Sequence, residues 1–270
     1  MTIHSRSHTR TRTRTRTRTR TNALVAAGGA VLLVGVLSGC GSTDVEDAPA
    51  EHKSFAYSGK ALTIDAENST VEVVPADVER IEVTRKVDGW VVLGSGPDPV
   101  WKLEGDTLTL RVKCDAMISD CGAQHQVKVP RGLALTVDAD NGKVTASGFG
   151  TPLKLFSDNG GVVVRDVTGP LELKSDNGSV RGERISAASV VARSDNGSVK
   201  LDFTRVPDLV DTVSDNGGIT IDLPAGKDRY SVSASADNGH VSVKVPRSDD
   251  SPHAVKAHSD NGEVTVRSAN

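Results

Sequence analysis

Leu171-Glu172-Leu173-Lys174-Ser175-Asp176-Asn177-Gly178-Ser179-Val180 and Val190-Val191-Ala192-Arg193-Ser194-Asp195-Asn196-Gly197-Ser198-Val199 are two copies of one unit. Asp-Asn-Gly occurs seven times, with its Asn at 141, 159, 177, 196, 216, 238 and 261 and spacings of 18, 18, 19, 20, 22 and 23 residues. A fixed tripeptide at a period near twenty marks a repeat architecture rather than one irregular globule.

The units align on the Asn. Two residues before it stand Ala139, Ser157, Ser175, Ser194, Ser214, Ala236 and Ser259, all small. Three residues after it stand Val144, Val162, Val180, Val199, Ile219, Val241 and Val264, all β-branched. Leu135, Leu153, Leu171, Val190, Val210, Val232 and Val255 lie six before it. Ala146, Val164, Gly182, Leu201, Ile221, Val243 and Val266 lie five after it. Small or apolar residues thus alternate with polar ones on both sides, the signature of strands with one buried face. Asn-Gly between the strands is expected to supply the positive φ angles of a tight turn.

Hairpins and a β-solenoid both accommodate this alternation. A hairpin needs a good turn, but not the same acid and the same small residue each time. A solenoid sets equivalent positions above one another, ~4.8 Å apart, and so rewards identity. Its stacked Asn side chains can hydrogen-bond along the axis as a ladder. The expected fold is therefore an all-β, single-domain β-solenoid of stacked 18–23-residue rungs with Asp-Asn-Gly turns. The segments joining units lengthen at one edge only, from six residues at 147–152 and 165–170 to eight at 202–209, ten at 222–231 and eleven at 244–254. Insertions confined to one edge map to loops on one face, often the binding face. The last rung, near the chain end at 263–267, reads as an uncapped edge open to pairing.

Upstream the pattern weakens. Leu62, Ile64, Ala66, Asn68, Val71 and Val73 keep the register. Ser119-Asp120-Cys121-Gly122 looks like a copy with Cys in the Asn place, although the strand after it, with Val127 and Val129, is displaced. Residues 81–112 hold strand-like runs without a clear unit and read as irregular rungs or a cap.

The chain has 270 residues and only eight aromatics, so its core is expected to be thin and built from Val, Leu, Ile and Ala, as in a stack of layers. Residues 1–22 hold seven Arg and no acid, and an uncharged, largely apolar run follows at 23–36. That run is shorter than the ~20 residues of a membrane span. A basic segment, a short apolar segment and small residues form a secretory signal. The run ends Leu37-Ser38-Gly39-Cys40, which resembles the lipobox of bacterial lipoproteins, with small residues before a thiol that this resemblance implies carries a diacylglyceryl group. This gives a signal peptide at 1–39, a lipidated tether at 40–55 and the repeat domain at 56–270, with acylated Cys40 holding the exported chain on the outer face of the cell membrane. The tether reading rests on the polar, acidic stretch 41–53. Without residues 1–39, 25 basic residues face 35 acidic ones, a formal −10. That balance argues against nucleic acid and against electrostatic docking on anionic lipid.

The repeat Ser-Asp-Asn-Gly-x-Val-x-Val behind this lipobox-like sequence resembles a bacterial β-strand-repeat family of lipoproteins catalogued as adhesins of unknown function. The resemblance covers roughly residues 56–270 and is strongest from 131 onward. It implies a β-helical, cell-surface or secreted module.

Two features invite a chemical reading. Cys114 and Cys121, seven apart in an exported chain, read as a small disulfide-closed loop. A metal site there has only His125 and acids for company and no second Cys pair. The acids Asp140, Asp158, Asp176, Asp195, Asp215, Asp237 and Asp260 form a column in a solenoid. Either each carboxylate accepts backbone N–H bonds within its own turn, or the column offers oxygen ligands to Ca²⁺. The glycine-rich nine-residue calcium repeat is absent. His125, His240, His253 and His258 are dispersed, with a surface role expected, and there is no Gly-x-Ser-x-Gly turn or phosphate-binding glycine loop. Phe203 and Tyr230 fall in the lengthening loops, either to meet a partner or to cover the solenoid edge. The sequence thus points to a non-catalytic adhesion or binding module for a cell-surface glycan or protein. A structural envelope spacer is the alternative, and a polysaccharide-acting β-helix enzyme the third reading.

Overall fold

The computed structural model describes residues 45–269. The signal segment and Cys40 lie outside these residues. A single 3₁₀ turn, Val45–Asp47, precedes nineteen strands. They are β1 (Glu51–Ala56), β2 (Ala61–Glu67), β3 (Ser69–Ala76), β4 (Arg80–Glu104), β5 (Thr107–Pro130), β6 (Ala134–Asn141), β7 (Val144–Ser147), β8 (Leu153–Asn159), β9 (Val162–Arg165), β10 (Leu171–Ser175), β11 (Val180–Ile185), β12 (Ser189–Ser194), β13 (Val199–Phe203), β14 (Leu209–Asn216), β15 (Ile219–Leu223), β16 (Ser231–Asn238), β17 (Val241–Lys244), β18 (Ala254–Asn261) and β19 (Val264–Ser268). Among the described residues no helix is long and apolar enough to cross a membrane.

Each repeat is one rung, a pair of strands joined by a bend at its Asp-Asn-Gly. First strands pair in parallel with first strands, and second with second, in the register that the Asn alignment gives: Leu135↔Leu153, Leu153↔Leu171, Leu171↔Val190, and Val144↔Val162, Val162↔Val180, Val180↔Val199. The inward positions of both faces make one continuous core, in which Val137, Leu155, Leu173, Val164 and Leu201 are fully buried. Burying ~25 cal/mol per Å² of apolar surface, rung after rung, is what drives the stack. The hairpin alternative does not occur among the rungs.

Spatial order departs from chain order at the end. β14 pairs with β18, and β18 with β16; β15 pairs with β19, and β19 with β17. The last rung in sequence is therefore inserted between its two predecessors, and β16/β17 forms the end of the stack. The ten-residue connector 222–231 crosses the skipped position and spans about 10 Å along the axis rather than ~4.8 Å, whereas 202–209 and 244–254 each step to an adjacent rung. The exposed edge belongs to β16 and β17, whose inward residues Val232, Ala234, Val241 and Val243 are only partly buried. The expectation of an open edge at 263–267 is corrected accordingly.

At the other end, β2/β3 is a rung beneath β6/β7 (Ile64↔Val137, Val71↔Val144). Residues 107–111 and 123–130 of β5 form the next one, pairing with β2 and β3. β4 then lies antiparallel along all of β5, and β1 antiparallel on β4. Residues 51–55, read as the end of the tether, thus belong to a strand of this cap. The Cys121 copy of the repeat is also corrected. Where β2/β3 bends through Asn68 alone, β4 and β5 swing outward together as a two-stranded arch, and Cys121 sits on its return leg.

Candidate functional site

The Asp-Asn-Gly edge is a set of columns in which each rung satisfies its neighbour. Asn Nδ2 donates to Asn Oδ1 of the preceding rung in one unbroken ladder. Asn141 donates to Asn68 at 3.1 Å, Asn159 to Asn141 at 3.1 Å and Asn177 to Asn159 at 3.0 Å. The ladder continues with Asn196 to Asn177 at 3.0 Å, Asn216 to Asn196 at 3.1 Å, Asn261 to Asn216 at 3.2 Å and Asn238 to Asn261 at 3.2 Å. Beside it the buried Ser hydroxyls donate to the glycine carbonyl one rung below: Ser175 to Gly160 at 2.8 Å, Ser194 to Gly178, Ser214 to Gly197 and Ser259 to Gly217 at 2.9 Å. Sequence reasoning recognised these positions only as small. The preference for Ser over Ala was the available signal.

The glycines are needed for a different reason from the expected one. Among the described Asp-Asn-Gly segments only Gly142 has a positive φ, 129°. A Cβ on Gly160, Gly178, Gly197, Gly217 or Gly262 would instead lie closer than 3.0 Å to the carbonyl oxygen of the glycine in the rung below. Close axial stacking, not left-handed backbone, excludes a side chain here.

The carboxylates Asp140, Asp158, Asp176, Asp195, Asp215, Asp237 and Asp260 stand in single file outside these columns. Two of them, Asp176 and Asp260, meet side chains rather than their own backbone. Lys174 Nζ lies 2.6 Å from Asp176, and His258 Nε2 2.9 Å from Asp260. The hydrogen bond to Asp176 raises the Lys174 pKa. At the N-terminal side Asp138 is raised, first by burial and then by Asp158, Asp140 and Asp65. Ca²⁺ takes six to eight oxygens, whereas the file presents one carboxylate per rung. Among the described residues three ligand-type side chains converge at Asp237, His258 and Asp260, whose ligand atoms lie within 4.8 Å of one another. This mixed N/O set suits a transition metal better than Ca²⁺. His258 Nδ1 already meets Ser235 Oγ at 2.9 Å.

The opposite edge carries the connectors. Phe203 and Tyr230 are buried there and close the core, with the Tyr230 and His253 ring centroids 6.3 Å apart. Arg205, Lys227, Asp228, Arg229, Arg247, Asp249 and Asp250 point outward from the three longest loops.

At the cap, Cys114 and Cys121 form a disulfide with Cα atoms 6.6 Å apart that ties the two legs of the arch. His125, expected on the surface, is fully buried, and neither ring nitrogen has a partner. Burial, helped by Arg85, lowers its pKa to about 4. The Arg85 guanidinium stacks 3.8 Å from the Trp101 ring centre and pairs with Glu51 at 2.6 Å, plugging the end of the core.

Parallel two-sheet rungs with axial polar ladders define a β-solenoid scaffold. Residues 60–270 match the family described as Toastrack DUF4097, and the chain belongs to that family. It is similar in structure to a "putative adhesin" from Bacteroides fragilis NCTC 9343, at 14% identity and a TM-score of 0.43, over 82% of this chain and 97% of that one. It is also similar to a "putative cell adhesion protein" from Clostridium sporogenes ATCC 15579, at 8% identity and a TM-score of 0.36, over 82% of this chain and 99% of that one. No curated protein matches the chain.

Proposed function

We propose that this protein is an exported lipoprotein, held on the outer face of the cell membrane by acylated Cys40, whose β-repeat body is a non-catalytic adhesion or binding module. The observation that carries the reading is how the surface divides. The Asn edge spends its polar groups on neighbouring rungs. The connector edge holds its aromatics inward and turns charged side chains outward at 204–208, 224–230 and 245–253. A cell-surface glycan or protein is the ligand class for such a polar loop surface. The acids stand in file, not as an opposed pair across an aromatic cleft, which favours a scaffold over a polysaccharide-acting enzyme.

The test replaces Arg205, Lys227, Asp228, Arg247 and Asp249 with Ser in the full chain, leaving Phe203, Tyr230 and His253 in place. Adhesion of expressing cells to glycan and protein arrays is expected to fall to background with the melting temperature unchanged. Undiminished adhesion, or none for the parent chain, would favour the envelope-spacer reading. Cys40→Ala, with mass spectrometry of the membrane fraction, tests the anchor separately.

A further inference from the structure

The arch of β4 and β5 lies outside the core, and among the described residues it is where the large apolar side chains are exposed. Residues 88–98 and 113–122 pair antiparallel outside the stack, from Asp88↔Gly122 at one base to Asp98↔Lys113 at the other. Gly89 and Gly96 pass the disulfide so closely that a Cβ would meet Cys121 Sγ at 2.9 Å and Cys114 Sγ at 3.1 Å. The legs are thus pinned and the tip held out. At the tip Leu93 is 85% exposed, Met117 89%, Ile118 59%, Val92 45% and Trp90 44%. No charge occurs at 90–97 or 116–119, and the charges resume at Asp88, Asp98, Asp115 and Asp120. Five exposed apolar side chains gathered at one end of the paired strands, Trp90 among them and acids at the base, form an interaction tip rather than scattered surface.

The chain itself indicates what covers it. Val45 packs at the base of the arch, beside Asn68, Cys121 and Gly122. From Val45 to Cys40 are five residues, a reach of at most ~18 Å. From base to tip the arch runs five residues, from Asp88 to Leu93, or ~17 Å of strand. Tip and anchor can therefore meet the same plane.

We propose that the arch tip inserts into the bilayer interface beside the lipid anchor, as a second, apolar foot that fixes the orientation of the solenoid on the membrane. The proposal rests on the acylation of Cys40 proposed above. The mature chain's charge of −10 makes this docking hydrophobic, so it does not need anionic lipid and does not weaken with salt.

The test uses the purified full-length processed protein with Trp101→Phe, leaving Trp90 as the one tryptophan. It is reconstituted on phosphatidylcholine vesicles with brominated acyl chains, and Cys40 is checked for acyl mass. Trp90 emission is expected to be quenched by the lipid bromines and protected from aqueous iodide. A Leu93→Ser/Met117→Ser/Ile118→Ser variant, still vesicle-bound and with an unchanged circular dichroism spectrum, is expected to lose that quenching. Acylated, vesicle-bound protein whose Trp90 is open to iodide would overturn the proposal and leave the anchor standing. Trp90 shielded from both quenchers in a sedimenting dimer would overturn it in favour of a second copy. Missing acyl mass would overturn the anchor reading. Bromine quenching without acyl mass would still support the tip, whereas neither signal would sink both.

Discussion

The repeat body from β6 onward and the cap built from β1, β4 and β5 solve opposite problems. In the body every rung except β16/β17 at the open end has a neighbour on each side. A polar group at any position finds its partner ~4.8 Å away on the same residue type, and that economy writes itself into the sequence as a repeat. In the cap the stack has to stop. β4 and β1 reverse direction, Arg85 and Trp101 plug the core, His125 goes in without a partner, and the bend through a single Asn becomes an arch. The difference teaches that periodicity records mutual satisfaction between rungs, and that its loss marks where a neighbour is missing.

The largest effect in the cap is expected from acid. His125 titrates about 4 in the fold against 6.5 free, so the unfolded chain takes up its proton first as pH falls. Its contribution is complete above pH 6.5, is lost as pH falls toward 4, and amounts to up to ~3 kcal/mol. Urea unfolding at pH 7 and pH 5 should show this loss in the parent and much less of it in His125→Leu. Equal loss in both would remove His125 from the account.

In the body, Ser194→Ala leaves the Gly178 carbonyl without its buried donor and should cost about 1–2 kcal/mol in the same assay. Asn196→Ala breaks the ladder twice, toward Asn177 and Asn216, at a similar cost. Native Ala139 and Ala236 occupy the Ser position in the rung stacked on β2/β3 and in the end rung. Ala236→Ser should therefore gain less than Ser194→Ala loses.

Cutting the disulfide with Cys114→Ser/Cys121→Ser should loosen the arch and spare the stack. Its small loop is worth about 2 kcal/mol, and limited proteolysis should cut near 93–95 or 117–119 while the body resists. Cleavage within the rungs would show that the arch supports the core. The smallest effect is expected from Ca²⁺. Millimolar Ca²⁺ should leave the melting temperature within a degree, since single-file carboxylates do not build its shell. A larger rise, lost in Asp195→Asn/Asp215→Asn, would restore the acid column as a metal site.

The body was legible because its residues answer to one another. The Leu171–Val190 register and the Asn ladder follow from the alignment, whereas the burial of Phe203 and Tyr230 decides between two readings that it left open. Two things there were not. Rung order cannot be read from a repeat whose copies are interchangeable, so the insertion of β18/β19 was hidden behind what looked like growing loops. The glycine requirement was assigned to backbone conformation when it comes from axial contact. In the cap, β1 had no repeat to align with, and the Cys121 copy misled because four matching letters do not make a rung. Of the candidate site, the pair Cys114 and Cys121 could be named from sequence, but not the apolar tip that their bridge supports. Trp90, Leu93 and Met117 share no period, and only the antiparallel pairing of β4 with β5 brings them together.

The central claim, that Asp-Asn-Gly is a stacking signal, is tested most directly by melting Gly197→Ala beside Gly197→Asn. In a left-handed turn Asn substitutes for Gly with little loss and Ala costs about 1 kcal/mol. Against the Gly178 carbonyl both bring the same Cβ. The account predicts that both variants lose about 3 kcal/mol or more, equally. A mild Gly197→Asn beside a damaging Gly197→Ala would contradict it.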